Sequence, residues 1–151
     1  MKWIKDDVEK YVTAKEYIDT VILPLIPFDM AQELEKSAYH NESLTLLTKG
    51  LEKERTGRVM LAPTYYYIKS NDLSQELSRV NSWIENFQEQ PFKHVFLITF
   101  DATWKKNEQA LKGSLIWLPS IPQGNLYTQE MQQMIMDQVN QIGELIHSYW
   151  Q

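Results

Sequence analysis

The spacing of hydrophobic residues changes along the chain, and each change marks an element. Within His94–Asp101 the centre is a continuous apolar run, Val-Phe-Leu-Ile, without the alternation of a half-wetted strand. Short runs of that kind sit inside sheets covered on both faces. Just upstream, Leu73, Leu77, Val80, Ile84 and Phe87 fall at steps of 4, 3, 4 and 3. That is the single buried stripe of an amphipathic helix, started by Asp72 and ended by Pro91. A helix that feeds a buried strand makes a right-handed parallel crossover the default.

The remaining segments follow the same logic. Val8, Tyr11, Val12 and Ile18 place a first helix over 5–18, with Asp6 and Glu9 as a capping pair. Thr20–Pro27 reads as a strand. Pro24 removes one ladder donor, so this strand is expected at an edge or to stop near the proline. Asp29 is the expected N-cap of a helical region over 30–56, interrupted at His40-Asn41-Glu42 and closed by Gly57 in the left-handed conformation. Arg58–Ala62 is a second strand, ending at Pro63 and Thr64, with Tyr65, Tyr66 and Tyr67 just beyond.

Leu115–Leu118 is a further strand, stopped by Pro119. Residues 102–113 fit either a short helix or a hairpin tipped at Lys105–Glu108. The weak helical stripe favours the hairpin, which would make the 112–118 strand an antiparallel edge. Thr128 caps a last helix carrying Met131, Ile135, Ile142, Leu145 and Tyr149 on one face, with Gln138 where an apolar residue belongs. The expected fold is layered α/β. A mainly parallel four-stranded sheet is flanked by helices at 72–90 and 128–149, in a single domain spanning 1–151.

Composition narrows the function classes. A chain of 151 residues suits one domain. Its formal charge of −5, with no basic cluster larger than Lys105-Lys106, argues against nucleic-acid binding. The absence of cysteine excludes disulfides, thiolate metal sites and Cys nucleophiles. The first residues turn acidic before any apolar stretch, so no signal peptide is expected. The longest apolar run, Val21–Phe28, has eight residues and two prolines, too short to insert in a bilayer. The expected location is the cytoplasm.

In open parallel sheets, ligands collect beyond the C-terminal ends of the strands. That rule selects Asp29, Tyr65, Tyr66, Tyr67, Asp101, Thr103 and Trp104 as candidate ligand or partner-binding residues. Asp101 directly follows a buried strand and could serve as a base or simply cap the next turn. The tyrosines and Trp104 could form an aromatic partner surface or pack at a sheet edge. His40, His94 and His147 lack metal-ligand spacing, so no metal is assigned. Glycine-rich phosphate loops are missing, and Ser114 is not in the setting of a nucleophile elbow. No cofactor and no catalytic residue are assigned. Met131, Met134 and Met136 could mark an adaptable binding face of the last helix, but core packing is the favoured reading. Tyr149 and Trp150 either dock back on the body or serve a homo-oligomer, and the partner is otherwise unknown.

Two readings follow. One is a non-enzymatic domain binding a protein partner or small ligand. The other is a small-ligand or nucleotide-binding enzyme working at the strand ends through Asp29 and Asp101. A deep crevice holding Asp29, Asp101 and Thr103 would favour the enzyme, and a flat aromatic patch the partner surface.

Three stretches carry a family likeness: Lys15-Glu-Tyr-Ile-Asp-Thr-Val-Ile-Leu-Pro-Leu-Ile-Pro27, Gly57-Arg-Val-Met-Leu-Ala-Pro63 and Ile116-Trp-Leu-Pro119. Together they resemble a small group of Bacillus-type proteins, the YpiF family. These are strand-and-proline signatures, and the resemblance implies no activity, cofactor or catalytic residue. The genes of the family tend to lie near those for the menaquinol–cytochrome c reductase. The resemblance therefore implies a link to respiratory-complex assembly or regulation.

Overall fold

In the computed structural model, which describes residues Met1–Gln151, the sheet has five strands and every pairing is parallel. The strands are β1 (Thr20–Phe28), β2 (Val59–Leu61), β3 (Tyr65–Ile68), β4 (His94–Thr99) and β5 (Ser114–Trp117). The helices are α1 (Lys5–Val12), α2 (Leu34–Glu54), α3 (Leu73–Phe87) and α4 (Gln129–Tyr149), with a 3₁₀ helix over Ala102–Ala110. The spatial order is β2-β1-β4-β5, and β3 pairs with the second half of β1.

β1 is central, not an edge, despite its proline. The Thr20 amide donates to the Arg58 carbonyl and the Ala62 amide to the Ile22 carbonyl, so even-numbered residues of β1 turn their backbone groups toward β2. The missing donor of Pro24 faces the same flank. There the register steps from Ile22↔Leu61 to Leu25↔Tyr65, three residues on β1 against four opposite. The ladder is already broken at that point, so the proline leaves no partner waiting. By the same parity Pro27 turns toward β4, beyond the last paired position, Pro24↔Ile98. β3, unforeseen as a strand, is what continues the flank past this break.

The 112–118 strand is parallel rather than antiparallel, and no hairpin forms. Asp101 caps the 3₁₀ helix by accepting from the Thr103 amide at 3.0 Å, and this helix carries the chain back to the start of the sheet. One residue anchors it: Trp104 is fully buried. A single inward ring gives no stripe to detect.

Both sheet faces are covered. Ile22, Ile26, Phe96, Ile98 and Ile116 meet Leu44, Leu47 and Leu51 of α2 and Ile135, Val139, Ile142 and Ile146 of α4. Val21, Leu23, Leu25, Val95 and Leu97 meet Val80 and Ile84 of α3, Tyr11 of α1 and Trp104.

Several local details differ from the sequence-based expectation. α1 stops at Val12, and Asp6 and Glu9 form no capping pair; Asp7 instead accepts from the Lys2 amide at 2.7 Å. α2 runs unbroken through His40–Glu42. Asp29 caps the turn before α2 rather than the helix itself. Gly57 does not adopt a positive φ. On α4 the buried row is Ile135, Val139, Ile142 and Ile146, leaving Leu145 and Tyr149 largely exposed. Met134 and Met136 are also exposed, so only Met131 packs on the core. Trp150 docks back on the body: its indole N–H donates to Thr20 Oγ1 at 2.9 Å, and the Arg58 guanidinium lies 3.8 Å from its ring centroid.

Candidate functional site

β1 sends the chain onward to α2 on one sheet face, while β4 sends it into the 3₁₀ helix on the other. Where neighbouring strands send their connections to opposite faces, a crevice opens between their C-terminal ends. Here that crevice has a volume of about 170 Å³. Its walls are Asp29 at the end of β1, Glu33 just before α2, Lys36, Ser37 and His40 on α2, Lys69 after β3, and Phe100 and Asp101 after β4.

The two sequence-selected carboxylates both reach this crevice, and both are already engaged. Asp29 accepts from the backbone amides of Ala31 at 2.9 Å, Glu33 at 3.2 Å and Gln32 at 3.4 Å. Those amides, the Ala31 bond foremost, hold its carboxyl below the usual carboxylate range against the opposing effect of burial. Asp101 accepts from the Tyr67 hydroxyl at 2.6 Å and from the Thr103 hydroxyl at 2.7 Å, besides the Thr103 amide. Thr103 thus orients Asp101 and does not itself line the crevice. A carboxylate saturated with donors in this way is a brace, and poorly suited to take a proton from a substrate.

Tyr65, Tyr67 and Trp104 do not form an exposed aromatic patch, because β3 alternates and turns two of its three tyrosines inward. Tyr67 and Trp104 are 6% and 0% exposed, and Tyr67 accepts the Trp104 indole N–H at 2.8 Å. Burial, then the Asp101 charge, drives the Tyr67 hydroxyl far above its ordinary pKa, so it stays protonated. Tyr65 donates to Glu76 and packs edge-on against Trp83; burial first, then Glu76, pushes it up to about 12. Tyr66 alone faces outward, donating to Asn41 Oδ1 at 2.6 Å.

The polar groups left for a ligand are ones the sequence reasoning missed. Lys69 pairs with Glu33 at 2.6 Å, but none of the chain's six ion pairs includes Lys36. His40 packs edge-on to Phe100, with ring centroids 5.8 Å apart, and burial followed by the Lys36 and Lys69 charges lowers its pKa. The first turn of α2 carries no side-chain cap. The usable signal was the spacing Glu33, Lys36, Ser37, His40, one polar face of a helix that starts just beyond a strand end. Reading His40–Glu42 as a break in the helix concealed it. No group of three or more His, Asp or Glu is arranged to hold a metal ion.

The profile of a family described as a protein of unknown function (DUF2487) matches residues 9–150. The chain belongs to that family. It is also 29% identical to the uncharacterized protein YpiF of Bacillus subtilis (strain 168), over 99% of this chain and 98% of that one. The strand-and-proline likeness to YpiF-type proteins therefore extends across the whole length. No solved structure matches the chain. No helix is long and apolar enough to cross a membrane.

Proposed function

We propose that this chain is a cytoplasmic binding domain, without catalytic machinery of its own, that takes a small molecule with an anionic group in the strand-end crevice. The observation that carries the reading is the division of labour among the polar groups there. Asp29, Asp101 and Glu33 are spent on the protein's own donors, whereas Lys36, His40 and the uncapped start of α2 remain unspent. What remains consists of a free cation, an imidazole and the positive end of a helix, all suited to an anion. At about 170 Å³ the crevice is smaller than the roughly 300–1,000 Å³ of drug-sized sites, so it suits a phosphate or carboxylate group, alone or as one end of a larger ligand. The respiratory-complex link implied by the YpiF likeness would make such a domain a sensor or assembly factor rather than a catalyst.

The test is calorimetric titration and thermal shift of the full chain with inorganic phosphate, small dicarboxylates and nucleoside monophosphates. One of these at about 100 times its Kd should stabilise the protein by about 2.7 kcal/mol. Lys36→Ala should weaken binding at least tenfold and leave the unliganded midpoint unchanged. Binding that ignores Lys36→Ala, or no binding by any of the three classes, would overturn the reading.

A protein-docking role has an observation of its own. Phe28, Met30, Leu34, Tyr66 and Ile68 are all 41–68% exposed around the paired ends of β1 and β3, and the outer edge of β3 has no strand partner. Uncovered strand edges with apolar neighbours invite added strands. If a second copy uses this edge, sedimentation velocity should show a dimer that Ile68→Glu dissolves.

A further inference from the structure

We propose that the cleft between α1 and α3, on the sheet face opposite α2, is a second binding site, for a single-chain amphiphile with a carboxylate-like head. This site does not depend on the strand-end crevice. Its floor is the sheet itself, where Val21 and Met60 are almost fully buried. Trp83 and Phe87 of α3 form one wall, and Val8 and Tyr11 of α1 the other. Phe92 closes one side by stacking on Tyr11 with ring centroids 5.5 Å apart. The cleft volume of about 530 Å³ lies within the range of sites for a single drug-sized molecule.

The cleft exists because α1 is a shallow cover. Of its eight residues only Tyr11 is buried, and its N-terminus has no side-chain cap. Trp3 and Val12 line the same cleft yet remain 60% and 59% exposed. Apolar surface left wet beside an apolar cavity gains by being covered.

The polar groups at the Tyr11 end decide the chemistry of the head. The Tyr11 hydroxyl donates to Gln90 Oε1 at 3.2 Å, which leaves the Gln90 amide N–H₂ free to donate. The Lys15 ammonium lies 5.9 Å from the Tyr11 ring centroid and belongs to none of the ion pairs. Both groups are donors, one of them cationic, so they select an acceptor head with negative charge. A protein partner would need roughly 800 Å² of surface on each side, more than one cleft of this size offers.

The probe is sodium dodecanoate, kept below its micelle concentration and titrated into the full chain. Tryptophan fluorescence reports occupancy, since Trp3 and Trp83 both line the cleft. Saturable binding is expected, and each methylene removed from the tail should weaken it roughly three- to fourfold. Lys15→Gln, with its fold checked by circular dichroism, should weaken dodecanoate at least tenfold and leave dodecanol unchanged. Non-saturable binding, or equal dodecanoate affinity in Lys15→Gln, would overturn the proposal. So would a dimer that Val12→Glu dissociates and dodecanoate does not, since the cleft would then be an interface between two copies.

Discussion

Tyr67 links the core to the strand-end crevice, and removing its hydroxyl tests that link. In Tyr67→Phe the ring stays and one oxygen is lost. That oxygen accepts from the Trp104 indole at 2.8 Å and donates to Asp101 at 2.6 Å. The two losses differ in kind. Asp101 keeps two Thr103 donors and sits where water can replace the third, so this side should cost about 1 kcal/mol. The Trp104 N–H has no such recourse, because the residue is 0% exposed. An orphaned buried donor costs about 1–3 kcal/mol. Together the substitution should destabilise by about 3 kcal/mol, a midpoint shift of roughly 6–12 °C for a domain of this size. Urea unfolding followed by fluorescence should show the loss with an unchanged m-value. Tyr66→Phe is the matched control, since its hydroxyl is exposed, and it should stay within about 0.5 kcal/mol. A double-mutant cycle with Trp104→Phe should return a coupling of about 1–2 kcal/mol, because removing both partners leaves no orphan. A Tyr67→Phe cost below about 1 kcal/mol, or zero coupling to Trp104, would refute this account.

Other predictions concern the rest of the frame. Trp150→Ala should cost about 2–3 kcal/mol, from one lost hydrogen bond to Thr20, the lost stacking with Arg58 and some lost burial, and Trp150→Phe should recover part of it in urea melts. Glu76 is buried, which alone would raise its pKa, yet bonds from Tyr65, Asn71 and Arg79 leave it lower than usual. A depressed carboxylate stabilises above its unfolded pKa, so stability should fall as pH drops from about 4.3 through the folded value, and Glu76→Gln should flatten that limb of the pH–stability curve. Gly50→Ala would bring a Cβ to 2.9 Å from Val139 Cγ2 where α2 meets α4, and should destabilise by about 1–2 kcal/mol despite its better helix propensity. Gly57→Ala meets nothing within 4 Å and needs no left-handed φ, so thermal melts should show it neutral or stabilised by up to about 1 kcal/mol.

How much of this could be read from the chain depends on whether a residue's role is set by its neighbours in sequence or by partners brought from afar. The α3 stripe and the His94–Thr99 run are local signals, and both hold: Val80 and Ile84 are fully buried, and Asp72 caps α3 through the Ser74 amide at 3.0 Å. Thr128 caps α4 through the Met131 amide for the same reason. Pro24 misled because the cost of a missing donor depends on what lies opposite, and the break between β2 and β3 is visible only once the strands are paired. The 3₁₀ helix was hidden because one Trp holds it.

The site residues divide in the same way. A carboxylate after a buried strand identifies a crevice wall, and Asp29 and Asp101 do stand on it. What such a residue does there depends on donors from other segments. Tyr67, 34 residues away from Asp101, converts that position from a possible base into a brace. Lys36 gains its importance by the opposite route. It matters because Glu33, three residues before it at the start of α2, pairs with Lys69 from just beyond β3. In a crevice whose other charges are met by the protein's own donors and cations, the binding specificity belongs to whichever group is left without an internal partner. By that reasoning Lys69→Ala should free Glu33 to pair with Lys36 and weaken anion binding, even though Lys69 is itself spent on Glu33. Restoring it with Glu33→Gln in the same chain should recover binding. Titration of inorganic phosphate, or of whichever anion the wild type takes, into the two variants checks this, and a Lys69→Ala chain that binds as well as the wild type would show that the pairing does not govern the site.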